Sequence, residues 1–299
     1  MPIDPLSPTA VRVDEGGPVV FVITRGDSVG GAQIHVRDLA SRLRAEGEAV
    51  LVLLGSSGPF TDDLDQRDVP WRICPGLARS INPVRDIRAV REVHRILLRV
   101  RPRLVSTHTA KAGLVGRLAA CWTSTPVVFT AHGWQFTPGI PPAQRLFVYG
   151  LELFLSRLPV PQRVITVSQF DQRLARRSAA VPPGRLRLVY NGLPGTGVVD
   201  RPARREPPSG EAPIPARSPR LIMIARFQAQ KDHETLLRAL AEIPGSWELF
   251  LVGEEGPLSK RVQELAIELG FGRRWNAEAG TAAEKRRVVA FLGHRGDIA

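Results

Sequence analysis

The chain repeats one pattern, in which a short apolar run is followed by a loop and then by a longer segment with apolar residues at helical spacing. The first predicted strand, Pro18–Thr24, contains an unbroken apolar run, as expected for a strand covered on both faces. The helix predicted after it covers Ala32–Glu46, and Gly47 suits its end. Strict alternation of strand and helix predicts a doubly wound parallel sheet of the α/β class.

The alternation continues to residue 190. The further predicted strands are Ala49–Leu54, Leu104–Thr107, Pro126–Thr130, Arg163–Val167 and Leu186–Tyr190. The predicted helices are Pro83–Val100, Lys111–Cys121, Ala143–Arg157 and one that begins at Gln169. A second series has predicted strands at Leu221–Ala225, Trp247–Val252 and Val288–Leu292, with helices at His233–Ile243 and Leu258–Leu269. The polar stretch Gly272 to Arg287 is predicted to be irregular.

Changes in composition divide the chain. Residues 1–17 are rich in proline and predict a mobile start, and residues 18–198 form the first predicted domain. Residues 199–218 are rich in proline and arginine, which is typical of a linker. Residues 219–299 begin a second α/β domain, but they are fewer than the roughly 100–150 residues that such a domain commonly needs. The second domain is therefore predicted to be incomplete.

Charge narrows the classes of partner. The 299 residues carry a formal net charge of +12, which favours polyanions such as nucleic acid, anionic lipid or phosphorylated small molecules. No zinc spacing, RNP-type aromatic motif or helix-turn-helix pattern supports nucleic acid, so no nucleic-acid partner is expected.

The start lacks the pattern of a signal peptide, and Cys74 and Cys121 sit in apolar surroundings without metal-ligand spacing. These features predict a cytoplasmic protein with reduced thiols.

Two cations lie between a predicted strand and the helix after it. Arg226 and Lys231 both fall at the carboxyl end of a parallel strand, where open α/β sheets bind their ligands. A helix N-terminus there favours anions, and an arginine with a lysine suits a diphosphate. The alternative is that both are solvated charges beside a helix cap, with Asp232 complementing the helix dipole. The segment by itself leaves these interpretations equal.

Other loops at predicted strand ends carry weaker patterns. Gly30 and Gly31 precede a helix, where glycine lets a ligand approach the backbone or simply makes a tight turn. The spacing is not G-x-G-x-x-G, which disfavours a nicotinamide oxidoreductase. His132 and His108 each end a strand and can bond a sugar hydroxyl or shuttle a proton, although a loop histidine is more often structural. We find no metal-ligand cluster.

The predicted helix Pro83–Val100 is basic on one face. Its arginines recur at helical spacing: Arg85, Arg88, Arg91, Arg95 and Arg99. Such a helix can lie on an anionic membrane surface, or it can pack its apolar face on the sheet and leave the arginines in solvent. We favour packing on the sheet, because every helix of this fold must cover it.

Together these segments resemble the family 4 glycosyltransferases. The resemblance is carried, in chain order, by Gly-Gly-Ala-Gln at 30–33, Thr-Ala-His-Gly at 130–133, Val-Ser at 167–168, Asn-Gly at 191–192, Arg226 with Lys231, and the loop 253–257. Each motif is weak by itself, whereas their order at successive strand ends is specific. The segment 107–136 is most similar to enzymes that build exopolysaccharide, capsule or other cell-envelope glycans.

The resemblance implies a GT-B fold, with two Rossmann-like domains and the active site between them. It implies transfer of a hexosyl unit from a nucleotide diphosphate sugar to a hydroxyl of a glycan or lipid-linked saccharide, with retention of configuration and no required metal or other cofactor. Arg226 and Lys231 would neutralise the departing diphosphate, and His132 would contact the donor sugar. The donor-binding glycines would be Gly30, Gly31, Gly253 and Gly256. His108 and Trp134 would line the acceptor side, and a lipid-linked acceptor would bring the protein to the inner face of the cell membrane.

One departure from the family lowers the expected activity. Residues 291–299 resemble the segment just before a Glu-rich donor motif that this sequence does not contain. We therefore expect weak nucleotide-sugar binding and low turnover from a truncated chain. The alternatives are a non-catalytic remnant that binds acceptor lipid or a partner transferase, and a sugar-nucleotide epimerase of similar two-domain build.

Overall fold

The computed structural model describes residues 16–78, 82–137, 140–192, 219–275, 287–293 and 295. The chain divides into two compact units, residues 1–198 and 199–299, each built on its own parallel sheet. The whole predicted linker, residues 199–218, and residues 1–15 of the predicted mobile start lie outside the described residues.

The first unit has a seven-stranded parallel sheet. Its strands are β1 (Val19–Val22), β2 (Val50–Leu54), β3 (Trp71–Ile73), β4 (Leu104–His108), β5 (Val127–Ala131), β6 (Gln162–Thr166) and β7 (Leu186–Leu188). Its helices are α1 (Gly31–Ala45), α2 (Pro59–Asp65), α3 (Pro83–Val100), α4 (Ala110–Cys121), α5 (Pro142–Leu155) and α6 (Gln169–Arg177). The strand order is β3-β2-β1-β4-β5-β6-β7.

Alternate residues of β1 feed two separate cores, which explains its unbroken apolar run. Val20 and Val22 pack in the core that also holds side chains of α3 and α4. Phe21 and Ile23 pack in the core that holds side chains of α1 and α2. Helices thus cover both faces, and fully burying each such side chain stabilises the fold by roughly 1.5–3 kcal/mol.

The strand order changes direction at β1, which is the position where open α/β sheets commonly bind ligands. This strand pairs with β2 on one side and with β4 on the other. The chain that leaves β1 and the chain that leaves β4 therefore diverge, and a crevice opens between their carboxyl ends. The crevice is bordered by the turn before α1 and by Thr109 before α4.

The second unit has a four-stranded parallel sheet. Its elements are β8 (Arg220–Ile224), α7 (His233–Glu242), β9 (Trp247–Val252), α8 (Ser259–Glu268), β10 (Gly272–Trp275) and β11 (Arg287–Phe291). The order is β10-β11-β9-β8, and α7 and α8 contribute to its buried core. Within the described sheet β8 is an edge strand, and Ile222 and Ile224 remain 61% and 58% exposed.

Three elements depart from the sequence-based predictions. The helix α2 and the three-residue strand β3 were not predicted, because both are short and β3 is only half-buried at the sheet edge. The prediction of an irregular stretch from Gly272 was wrong at its start, since Gly272–Trp275 pairs with β11. Residues 276–286 of that stretch lie outside the described residues.

The prediction of reduced cysteines agrees with the structure, in which Cys74 is buried, Cys121 is half-buried and both are free thiols. Burial raises the pKa of Cys74 to about 12, with a smaller contribution from Glu92. Among the described helices, none is both long and apolar enough to cross a membrane.

Candidate functional site

Arg226 lies at the carboxyl edge of the second sheet, directly after β8. Its guanidinium is partly exposed and stands 3.9 Å from the Glu254 carboxylate, which belongs to the loop after β9. This pair is loose and solvated, so the guanidinium remains available for a stronger anion. Lys231 follows in a short 3₁₀ turn and is exposed. Both predicted cations thus occupy the segment between β8 and α7, as the sequence indicates.

The segment that carries these cations is held by local contacts. Asp232 adopts a left-handed conformation with φ of 50° and caps α7 by accepting a hydrogen bond from the Thr235 amide at 3.3 Å. The rings of Phe227 and His233 stack with centroids 4.6 Å apart, and both are buried. Phe227 and His233 lie on either side of Lys231 in the sequence, so their stacked rings hold the segment that carries Lys231 against the start of α7.

Gly253 and Gly256 keep the loop after β9 close to this segment. The Gly253 amide donates to the Gly293 carbonyl at 2.9 Å, and the Phe227 amide donates to the Glu254 carbonyl at 3.4 Å. A Cβ on Gly253 would overlap the Ala225 carbonyl, and one on Gly256 would overlap the Phe227 carbonyl. These two glycines are therefore required for packing of the loops. This packing role does not test the donor contacts predicted for them.

Gly31 differs from the glycines of the second unit. It is the first residue of α1, Gly30 is the N-cap, and no side chain caps this helix. A Cβ on Gly31 would meet nothing within 4 Å, and the residue is exposed. Space for a ligand therefore lies next to an N-terminus with no acidic residue in its first turn, an arrangement that favours an anion.

Thr109 closes the crevice between β1 and β4 in a strained conformation. Its φ of 80° is rare for a β-branched residue, and its hydroxyl lies 3.1 Å from the Thr24 hydroxyl across the crevice. Backbone of this kind costs on the order of 1–3 kcal/mol and concentrates at functional sites. Neither threonine was singled out from the sequence.

His108 and His132 come together at the carboxyl ends of β4 and β5. His108 Nδ1 lies 3.1 Å from His132 Nε2, and His108 Nε2 lies 3.0 Å from Ser106 Oγ. His108 is fully buried, whereas His132 is half-buried. The structure therefore unites two predicted site residues, with only His132 open to a ligand.

A third histidine, His35 on α1, completes this cluster. Its ring centroid lies 5.4 Å from that of His108 and 5.2 Å from that of His132. Sequence reasoning missed His35 because it lies within a helix, four residues beyond Gly31. It reaches the cluster only because β1 lies beside β4 in the sheet.

The cluster favours neutral imidazoles. Burial lowers the pKa of His132 to about 4, with a smaller effect from His35. Burial also lowers the pKa of His108 well below its ordinary value, and the neighbouring His132 and His35 add to this. The pKa of His35 is lowered by burial and partly restored by Asp38. At neutral pH these rings can donate and accept hydrogen bonds without carrying charge.

Trp134, predicted on the acceptor side, is packed inside the first unit. It is 6% exposed, and its indole N–H donates to the Asp171 carbonyl at 2.9 Å. Its backbone amide donates to the Asp171 carboxylate at 3.2 Å, and Ser168 donates to the same carboxylate at 2.6 Å. The side chain therefore fixes the histidine loop to α6 and offers little surface to an acceptor.

The five arginines of α3 are all exposed, while Val93 and Leu97 of the same helix are buried in the core. Large apolar side chains also remain exposed nearby: Val84, Ile87 and Leu98 on α3 and Trp122 after α4 are between 53% and 65% exposed. Ile87 and Trp122 line an apolar groove of about 490 Å³ between α3 and α4. The helix α3 thus packs one face on the sheet, and its outer face is basic and partly apolar.

The part of the chain that the structure describes holds no group of three or more His, Cys, Asp or Glu side chains placed to bind a metal ion.

Comparison with known proteins identifies the family. The glycosyl transferase 4-like domain matches residues 30–192, which is more than half of the chain. The chain belongs to the glycosyl transferase 4-like family. The match begins at Gly30 and includes the histidine cluster, so the resemblance inferred from the motifs of the first unit is confirmed.

Two curated proteins are similar in sequence to parts of this chain. One, from Escherichia coli, is UDP-Gal:alpha-D-GlcNAc-diphosphoundecaprenol alpha-1,3-galactosyltransferase, which is 30% identical over 46% of this chain and 35% of its own length. EpsD of Bacillus subtilis is 27% identical over 71% of this chain and 55% of its own length. The chain thus spans between about a third and about half of these relatives.

Solved structures agree on the fold. The crystal structure of HepE from Anabaena, in complex with UDP and glucose, has a TM-score of 0.66 and 20% identity, and the match covers 94% of this chain and 70% of that one. The α/β class with Rossmann-like parallel sheets and the GT-B type are confirmed. At this identity the likeness concerns the fold alone.

Proposed function

We propose that this chain belongs to a retaining hexosyltransferase that uses a nucleotide diphosphate sugar, with UDP as the preferred nucleotide, and a hydroxyl of a lipid-linked saccharide or glycan as acceptor. The single observation that carries the proposal is the family match across residues 30–192. The E. coli relative is named for a UDP-galactose donor and a diphosphoundecaprenol acceptor, and the HepE crystals contain UDP and glucose, which supports this donor and acceptor class. Synthesis of a cell-envelope glycan or exopolysaccharide is the proposed role.

Arg226 and Lys231 supply the positive charge that the departing diphosphate needs. The anomeric carbon loses its bond to a phosphate oxygen and gains one to the acceptor oxygen, so negative charge grows on the diphosphate. A partly exposed guanidinium with only a weak partner can meet that charge, and each such group typically contributes a few kcal/mol. Because these cations serve as the electrophilic stabiliser, the proposed reaction requires no metal.

The first unit has groups of its own that suit this class of substrate. Gly31 leaves open space beside the uncapped start of α1, where a phosphate or an acceptor group can approach the backbone. His132, which is half-buried as His35 is, contacts the donor sugar as a neutral hydrogen-bonding group. Gly253 and Gly256 act on the donor side through the loop that they hold beside Arg226.

Binding of UDP to the full chain tests the donor assignment. We expect UDP to bind more tightly than uridine in calorimetry, and the affinity to be unchanged by EDTA. Arg226→Ala and Lys231→Ala should each weaken UDP binding about tenfold, since one charge-assisted contact is worth roughly 1.4 kcal/mol or more. Arg238→Ala is the matched control, because Arg238 is an exposed cation on α7. Equal affinity in all three variants would contradict the assignment.

A transfer assay separates catalysis from binding. The full chain is incubated with UDP-glucose or UDP-galactose and a polyprenyl diphosphate saccharide, and mass spectrometry detects the elongated lipid. Binding of the acceptor without transfer would favour the non-catalytic remnant. Interconversion of the free nucleotide sugars without acceptor would instead favour an epimerase.

We also propose that the first unit contacts an anionic membrane through α3. Five exposed arginines and a border of exposed apolar side chains characterise surfaces that attract acidic lipids and insert apolar groups between them. A lipid-linked acceptor would be reached from this position, at the inner face of the cell membrane.

A further inference from the structure

Ser106, His108 and His132 form one continuous hydrogen-bonded chain. Ser106 and His108 both lie on β4, two residues apart, and therefore point to the same face of the sheet. His108 uses both ring nitrogens: Nε2 lies 3.0 Å from Ser106 Oγ and Nδ1 lies 3.1 Å from His132 Nε2. Its ring is fully buried and stacks on Phe21 with centroids 6.0 Å apart. The middle member of the chain therefore has no freedom to take another partner.

Because the imidazoles are neutral, the hydrogen bonds from Ser106 through His108 to His132 must all run in the same direction. A neutral histidine carries one N–H, so only one of its nitrogens can donate. If His108 donates from Nε2 to Ser106, its Nδ1 must accept from His132 Nε2. If Ser106 donates to His108 Nε2, then His108 Nδ1–H must donate to His132. The two arrangements fix opposite tautomers of His132.

One of these arrangements is favoured. The Nε2–H form is the more stable tautomer of a free neutral histidine side chain. When His108 donates to Ser106, both His108 and His132 hold that form, whereas the reverse direction places both in the less stable one. In the favoured state His132 Nδ1 carries a lone pair and no proton.

His132 Nδ1 is the atom that this hydrogen-bonded series of side chains leaves available to a ligand. Among the described residues it has no hydrogen-bond partner, and the ring is half-buried. The next residue, Gly133, is exposed with φ of 124°, and a Cβ built on it would meet nothing within 4 Å, so the loop is open beside the ring. His35 contacts the His132 ring edge-on, at 71° between the planes, which restricts the tilt of the ring.

We propose that Ser106 and His108 are positioning residues that hold His132 in its Nε2–H tautomer, so that its free Nδ1 accepts a hydrogen bond from a hydroxyl of the bound sugar. The use of Nδ1 by a sugar rests on the proposed function, whereas the tautomeric lock is a property of the ligand-free chain. His35 adds steric restraint from α1 and, with Asp38 beside it, is the titratable group that faces the pair from that helix.

Nitrogen-15 NMR of the histidine-labelled full chain tests the lock without any activity. We expect His132 to show a protonated Nε2 and an unprotonated Nδ1 from pH 7 to pH 5. Ser106→Ala should abolish this single tautomer and give averaged shifts for both nitrogens. Ser41→Ala is the matched control, since the buried Ser41 hydroxyl has no hydrogen-bond partner in the described structure. Unchanged His132 shifts in Ser106→Ala would overturn the lock.

Two substitutions of His108 separate its two contacts. Asparagine places an amide near the position of Nδ1 and can retain the bond to His132, whereas glutamine places it near Nε2 and can retain only the bond to Ser106. We therefore expect His108→Asn to keep His132 closer to one tautomer than His108→Gln does. Equal spectra for the two variants, with equal thermal stability, would show that His108 acts only by filling space and would overturn the proposal.

Addition of UDP-glucose tests the use of Nδ1. We expect the His132 Nδ1 resonance to shift upfield towards that of a hydrogen-bond acceptor, and Ser106→Ala to weaken UDP-glucose binding several-fold while UDP binding stays unchanged. Binding of UDP-glucose with no change at Nδ1 would overturn the sugar contact. Absence of both UDP and UDP-glucose binding would count against the proposed function, while the ligand-free spectra still decide the lock.

Discussion

Arg117 on α4 and Glu152 on α5 form a buried ion pair with two parallel hydrogen bonds. Nη1 and Nη2 donate to the two carboxylate oxygens, both at 2.8 Å, and the side chains are 1% and 7% exposed. The guanidinium also donates through Nε to the Gly113 carbonyl at 2.9 Å and lies 4.3 Å from the centroid of the Phe129 ring. The pair therefore ties the helix after the His132 loop to α4 and β5.

Removing one member of this pair should destabilise the first unit strongly. Glu152→Gln keeps the shape but leaves the buried guanidinium without a counter-charge, and we expect a loss of roughly 3 kcal/mol or more in the free energy of unfolding. The measurement is urea unfolding followed by circular dichroism. Glu46→Gln is the matched control, because Glu46 pairs with Arg42 on the exposed surface of α1 and should cost under about 0.5 kcal/mol. Similar losses in both variants would contradict the buried role.

Sequence patterns predicted the alternating strands and helices because each central strand is buried on both faces and reads as an apolar run. They did not predict β3, whose three residues are only half-buried, or β10, whose sequence Gly-Arg-Arg-Trp has no apolar run. The pattern also placed Arg226, Gly31 and His132 in segments that follow strands, and the structure has them there. In open α/β sheets such segments commonly carry ligand contacts. Periodicity describes one helix or strand at a time. It therefore predicts the loop in which a residue lies, but not which other residues that side chain contacts.

Contacts between distant elements lay beyond this reasoning. His35 joins His108 and His132 only through the order of β1, β4 and β5, and nothing in the spacing along the chain encodes that order. Arg117 and Glu152 were unremarked for the same reason, since a charged residue on a helix is normally solvated. Trp134 was assigned to the acceptor side from its place after the histidine loop, whereas its burial follows from the position of Asp171 on α6.

Alanine at two glycines should give opposite results. Gly31→Ala meets no neighbouring atom and improves helix propensity, so we expect unchanged or slightly higher thermal stability and several-fold weaker UDP-sugar binding. Gly253→Ala overlaps the Ala225 carbonyl and should cost about 1–3 kcal/mol through a forced shift of the loop. Differential scanning fluorimetry and calorimetric titration measure the two properties. Full UDP-sugar affinity in Gly31→Ala would argue against ligand approach at that glycine.

Acid should destabilise the first unit through His132. Its pKa is about 4 in the folded chain against 6.5 for an ordinary histidine, so the unfolded state binds the proton more readily between these values. The stability is complete above pH 6.5 and falls as the pH falls towards 4, by roughly 3 kcal/mol for this group. His132→Gln should lose that part of the pH dependence, as measured by urea unfolding between pH 7 and pH 4. Parallel pH curves for the two proteins would contradict the lowered pKa.

Charge reversal on α3 tests the membrane surface. A basic residue near an acidic bilayer contributes roughly 1 kcal/mol, so changing Arg88, Arg95 and Arg99 to glutamate should lower the binding constant by at least about 100-fold. The measurement is flotation of the full chain with vesicles of phosphatidylglycerol and phosphatidylcholine, against vesicles of phosphatidylcholine alone. High salt should weaken the wild-type interaction, because exposed charges are screened.

The matched control reverses three exposed arginines elsewhere. Arg173, Arg176 and Arg177 lie on α6, and their change to glutamate alters the net charge by the same amount. If the surface is specific, this variant should retain most of its binding, while Trp122→Ala should lose part of it without any change in charge, since Trp122 is 65% exposed beside α3. Equal loss in both charge-reversed variants would mean that net charge, rather than the surface formed by α3 and Trp122, brings the chain to acidic lipid.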